Sequence, residues 1–235
     1  REQAAYAAAK AVITMSEWAA DSVRRDYGIA AERVHVVPGG ANLDEQALAS
    51  LPCMDLPPEP SLQQPLRLGF LGKEWERKGG PFVLSVAEAL RRIGIPAVVR
   101  AIGPSVQALP DSPFLQPLGF ISKQTAMAEF VRELRSWHFG TLFSSCEAFG
   151  ISNRECLRLG IPVLAHATGG IPSTFTGLGC GHLFPAHPSA ELVAHWIQEQ
   201  LTPYSRYLGL RAGLVDRSAE FSWIAAVEQL QEILG

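Results

Sequence analysis

The chain has 235 residues, 47% of them hydrophobic, with 21 glycines and 17 prolines. That length can bury a substantial core as one large domain or two small ones. The formal net charge is −3 with no run of Lys or Arg, which argues against a nucleic-acid partner.

In chain order, REQAAYAAAK reads as helix from the first residue. With no initiator Met and no signal-peptide pattern, the expectation is a fragment or a trimmed piece of a longer chain. AVITM (11–15) is a β-branched apolar run, and residues 17–28 are helical up to Gly28, a good helix terminator. VHVVP (34–38) is a strand stopped by Pro38 and the Gly39-Gly40 pair. The proline-rich stretch 51–65 reads as a linker. Strand LRLGFLG (66–72), an amphipathic helix (81–94) and strand AVVRAIG (97–103) follow. Residues 115–120 form a short strand despite Pro117, and 122–137 a helix with Ser122 as N-cap. TLFSS (141–145), PVLAH (162–166) and GHLF (181–184) are strands. Helices over 189–201, onward to about Glu220, and over 223–234 complete the chain.

Strands alternating with helices, and strands that are near-continuous apolar runs, predict an α/β fold with a doubly wound parallel sheet, Rossmann-like. A short series of elements precedes the linker and a complete series follows it. The expected units are residues 1–48, a linker over 49–65, a main domain over 66–220 and a final helix over 221–235. The cysteines (Cys53, Cys146, Cys156, Cys180) form no CxxC pair, and no apolar stretch approaches a membrane span. Free or buried thiols in a reducing, cytoplasmic setting are expected.

The segment CEAFGISNRE (146–155) carries the chemistry. In open α/β sheets, ligands bind outside the carboxyl ends of the strands. Glu147 follows a strand, so it belongs at that edge. Ser152 and Glu155 have the spacing of a capping box, and a helix N-terminus there offers amides to an anion. Two separated carboxylates suit sugar hydroxyls. For Glu155 the capping role is a complete alternative, and for Glu147 an exposed loop position. GFLGKEWERKGG (69–80) likewise leaves a strand and enters a helix, carrying Lys73, Arg77 and Lys78. Cations beside a helix N-terminus make a diphosphate site; a solvated charged turn is the other reading. Neither a Walker A loop nor a GxGxxG fingerprint is present. HATGGIPS (166–173) supplies a third loop at the same edge.

These residues resemble glycosyltransferase family 4, retaining enzymes of the GT-B type. The similarity runs in register through AVITMSEWAADSV, VHVVPGGAN, GKEWERKGG, PLGFIS, the Glu-x7-Glu motif EAFGISNRE, GIPVLAHATGGIPS and AEFSW (219–223). The resemblance implies a GT-B donor domain that binds a nucleoside-diphosphate sugar. It implies that Glu147 meets the transferred sugar, aided by backbone amides of Phe149, Gly150 and Ile151, and that Glu155 accepts ribose hydroxyls. Lys73 and Lys78 would hold the diphosphate in place of a metal. Phe120 and Ile121 would border the base, with Gly72 and Ser152 also at the donor. No metal or cofactor is expected, and none of His182, His187 and His195 has ligand spacing. The acceptor would be a glycan, lipid or small molecule, with peripheral membrane contact possible through a further domain. Lys73 stands where the family often has Arg, Ser173 where it often has Glu, and Arg154 and Cys156 where apolar residues and alanine are usual. A non-catalytic nucleotide-sugar-binding module, or another GT-B enzyme such as a sugar-nucleotide epimerase, remains an alternative.

Overall fold

The computed structural model describes residues 2–52, 56–175, 177 and 179–235; Cys53 lies outside them. Two parallel sheets organise the chain. The smaller pairs β1 (Val12–Thr14) with β2 (Val34–Val36), in register Val12 to Val34. Helix α1 (Glu2–Ala8) precedes it. Helix α2 (Glu17–Asp26) is capped by Ser16 and buries Ala20 and Val23 in a small core with Val12, Ile29 and Val34.

The larger sheet has six strands: β3 (Leu66–Leu71), β4 (Ala97–Ile102), β5 (Leu115–Gly119), β6 (Phe139–Leu142), β7 (Val163–His166) and β8 (Gly181–Phe184). Their order is β5-β4-β3-β6-β7-β8, and every pairing is parallel. This is a doubly wound Rossmann-like sheet. Its order reverses between β3 and β6, and ligands bind at such a switch point, beyond the strand carboxyl ends. Pro117 is tolerated because β5 is an edge strand, where a missing N–H faces away from the ladder.

Helices cover both faces. On one, α4 (Gly80–Arg92) packs against α7 (Ala190–Leu201), burying Val83, Leu90, Val193 and Ile197. On the other, α5 (Met127–Arg135) and α6 (Ile151–Arg158) bury Phe130, Leu134 and Leu157. Trp137 fills that core against β3: a Cβ at Gly69 would lie 1.7 Å from its ring, so the strand needs glycine there. Ser189 caps α7 by accepting a hydrogen bond from the Leu192 amide at 3.1 Å. Ser189→Ala is expected to cost about 1 kcal/mol of stability, read by urea denaturation with unchanged m. No helix among the described residues is long and apolar enough to cross a membrane.

The chain's end returns to its beginning. After α8 (Tyr204–Asp216), Phe221 is fully buried and its carbonyl accepts from the Ala41 amide at 2.8 Å. Helix α9 (Trp223–Leu234) starts so close to the Gly-Gly pair that a Cβ at Gly40 would sit 2.0 Å from the Trp223 nitrogen. Arg154, 2% exposed, joins these strands of chain: its guanidinium donates to the Gly39 and Glu220 carbonyls and lies 4.8 Å from the Phe221 ring centroid. That explains an arginine where the family often has an apolar residue.

Three expectations are corrected. The helix predicted over 122–137 starts only at Met127, with Ala126 rather than Ser122 at its cap. The strand predicted over 141–145 begins at Phe139 and ends at Leu142, which leaves Phe143–Ser145 to a loop. A short helix, α3 (Glu45–Ser50), is present where none was predicted; the Asp44 carboxylate caps it by accepting from the Gln46 and Ala47 amides.

Candidate active site

The loops leaving β3 and β6 meet at the switch point. After β3, the chain passes Gly72 and Lys73, turns, and enters α4 through Gly79, whose φ of +80° is left-handed. A Cβ at Gly79 would press to 2.3 Å on the Phe143 carbonyl oxygen. The glycine therefore lets this loop lie directly on the chain leaving β6. The Ser145 amide donates to the Arg77 carbonyl at 2.9 Å and locks the two loops together. Gly72 makes room for the Lys78 side chain, since a Cβ there would lie 2.3 Å from its Cδ.

Lys78 is aimed by this packing. Its ammonium donates to Glu147 Oε2 at 3.1 Å, with both side chains 15% exposed. The Arg77 guanidinium approaches the same oxygen at 3.7 Å and donates to the Cys146 carbonyl at 2.7 Å. The Ser144 hydroxyl also donates to Oε2, at 3.3 Å. The Glu147 backbone is fixed from behind, where its carbonyl accepts from the Gly170 amide at 2.8 Å. The neighbouring Ala148 carbonyl accepts from the Ser16 hydroxyl at 2.9 Å. The two sheets thus share the loop that carries the carboxylate.

Helix α6 begins at Gly150, which is left-handed at φ +98° and has no side-chain cap. The capping box is corrected accordingly. Ser152 lies inside the first turn, and its hydroxyl is buried with no hydrogen-bond partner. Glu155 is 1% exposed and pairs with Lys123, not with a helix amide. Burial raises its carboxyl above the ordinary range, while Lys123 and, to a smaller degree, Lys78 oppose that rise. An uncapped first turn, an orphan buried hydroxyl and nearby ammonium groups form an anion-binding environment.

Beside Glu155 lies a pocket of about 410 Å³, lined by Gly72, Lys73, Phe120, Ile121 and Lys123. Phe120 is 70% exposed, and the Lys73 ammonium lies 5.7 Å from its ring centroid. Of the residues singled out from sequence, Gly72, Lys73, Phe120 and Ile121 share this pocket, and Lys78 with Glu147 forms the pair next to it. Phe149, expected to act through its backbone amide, has a buried side chain. Gly150, Ile151 and Ser152 form the start of α6. Lys123 was not singled out, since the predicted helix had absorbed it; it stands in the loop ahead of α5. Among the described residues, no group of three or more His, Cys, Asp or Glu is placed to hold a metal ion.

Comparisons with known proteins bear on the family and the fold. Residues 1–45 match the model of Glycosyltransferase Family 4. The chain is 29% identical to D-inositol 3-phosphate glycosyltransferase 1 of Catenulispora acidiphila, over 97% of this chain and 58% of that protein. Sucrose-phosphate synthase from Thermosynechococcus elongatus has the same fold, with a TM-score of 0.69 at 22% identity over 99% of this chain and 59% of that one. Anabaena HepE in complex with UDP-glucose superposes with a TM-score of 0.66 at 17% identity, over 96% of this chain and 64% of that one. The chain therefore spans less than two thirds of each of these proteins. The matched segment, the relative and the shared GT-B-type fold make this chain similar to the glycosyltransferases of family 4.

Proposed function

We propose that this chain is the donor-binding part of a retaining glycosyltransferase that moves a hexose from a nucleoside-diphosphate sugar to an acceptor hydroxyl. The observation that carries the reading is the pairing of Lys78 with Glu147 at the switch point, beside a pocket whose Lys123 pairs with Glu155. A base fits against Phe120 and Ile121, with its ribose hydroxyls turned to Glu155. The diphosphate then reaches Lys73, Lys78 and the first turn of α6, where the Ser152 hydroxyl gains the partner it lacks. The sugar extends toward Glu147. As the bond to the diphosphate breaks, negative charge grows on the leaving oxygen. In this reading Lys78 and Lys73 offset that charge, and preorganised charge of this kind lowers the barrier. The complex of HepE with UDP-glucose supports a uridine nucleotide as the first probe.

In this reading the two ammonium groups do the work of a divalent ion. The unit of residues 1–48, attached through 49–65 to the domain of 66–220, belongs to the acceptor side; the final helix, 221–235, returns to it. The test is calorimetric titration of the chain with UDP, with and without EDTA. UDP is expected to bind with the same affinity in both. A requirement for a divalent ion would overturn the role given to the lysines, and failure of UDP, ADP and GDP alike to bind would overturn the donor site.

A further inference from the structure

The buried Glu155 carboxylate is paired with Lys123, a residue that lines the neighbouring pocket. It is 1% exposed on α6, and Lys123 reaches it from the loop ahead of α5 with a side chain that is 32% exposed. The same ammonium lies 5.0 Å from the Phe130 ring centroid, and its head stands between the carboxylate and the open pocket that Lys123 and Phe130 both line. A buried carboxylate without a partner takes up a proton rather than hold its charge.

We propose that Lys123 is a positioning residue that holds Glu155 in its charged form and fixes one of its oxygens, leaving the other to accept the hydroxyls of a bound nucleotide. Lys123 bonds Oε1. An ammonium has further donors, so the same group can also reach a ribose oxygen at the pocket mouth. The proposal deepens the donor-site reading and rests on it for the ligand, but its electrostatic part belongs to the protein alone. The charged groups that act on Glu155 are Lys123 and, more weakly, Lys78 from the loop before α4. The adjacent Cys156 thiol is fully buried, and burial pushes its pKa up, so it adds no charge.

The first measurement needs no ligand. The side-chain carboxyl carbon of Glu155 is followed by NMR through a pH titration in the parent, K123M and K123R. Removing Lys123 removes the main opposition to burial, so the Glu155 midpoint should move to higher pH in K123M and return toward the parent value in K123R. An unmoved midpoint in folded K123M overturns the proposal, whatever the protein binds.

The second measurement reads the ligand. UDP and 2′,3′-dideoxy-UDP are titrated at several pH values, and the ratio of their affinities cancels protonation of the phosphates. In the parent the ratio should hold as pH falls until Glu155 protonates. In K123M it should collapse at a higher pH, with UDP about tenfold weaker at the lower end and K123R restoring most of the loss. Tighter UDP binding by K123M would instead make Lys123 a competitor for the carboxylate and would overturn the positioning role. A raised midpoint with no dideoxy penalty in any protein would leave the charge on Glu155 explained, but would refute its use by a ribose.

Discussion

Lys78→Ala is expected to weaken UDP binding by about 1.5–3 kcal/mol, the worth of a hydrogen bond to a charged group. That is roughly ten- to 150-fold in Kd. Uridine, which lacks the diphosphate, should bind almost unchanged. The argument rests on placement. The Lys78 ammonium stands 3.1 Å from Glu147 Oε2 and is 15% exposed, so little water screens it. Its loop is clamped to the chain leaving β6 by the Ser145–Arg77 bond, so another cation cannot readily slide into its place. Arg77 is the nearest substitute, but Glu74 already holds it, at 2.5 Å. Calorimetry with the two ligands decides the matter. Equal losses for UDP and uridine would mean that the substitution had disturbed the pocket rather than removed a phosphate contact.

Glu155→Gln should weaken UDP about tenfold, because a neutral amide oxygen is a poorer acceptor than a carboxylate. The sharper expectation concerns the hydroxyls. The parent should bind UDP better than 2′,3′-dideoxy-UDP, and the difference should nearly vanish in Glu155→Gln, since hydroxyl and carboxylate belong to one interaction. Since α6 is not capped by this side chain, the substitution acts on the fold only through the Lys123 pair. Lys123 is about one-third exposed on its side chain and can turn to solvent, so thermal stability should fall little. A dideoxy penalty as large in the variant as in the parent would remove Glu155 from the ribose.

Much of this protein was legible in its sequence, and the reason is local. Apolar runs separated by helical periodicity specify strands covered on both faces, and such strands pair in parallel. LRLGFLG, AVVRAIG and GHLF were therefore placed within a residue or so. The position of Glu147 in the loop that leaves a strand was legible for the same reason, as were the lysines of GKEWERKGG. The resemblance to family 4 then named a role for each residue.

What the sequence missed lies where the winning interaction is distant in the chain. Ser152 and Glu155 have capping-box spacing, yet the left-handed Gly150 starts the helix earlier. That leaves the Ser152 hydroxyl without a partner and gives Glu155 to Lys123, 32 residues away. Nothing near Lys123 in sequence predicts that pairing. Ser122 looked like a cap, but the chain makes a turn from Ser122 to Ala126 before α5 begins, and this places Lys123 in a loop that faces the pocket. Arg154 read as a departure from the family pattern until folding brought the Gly39 and Glu220 carbonyls around it. Local pattern determines which elements form and which edge of the sheet carries the charged loops. Which lysine meets which carboxylate depends on burial and on long-range contacts, and a buried charge takes whatever partner the tertiary fold brings within reach.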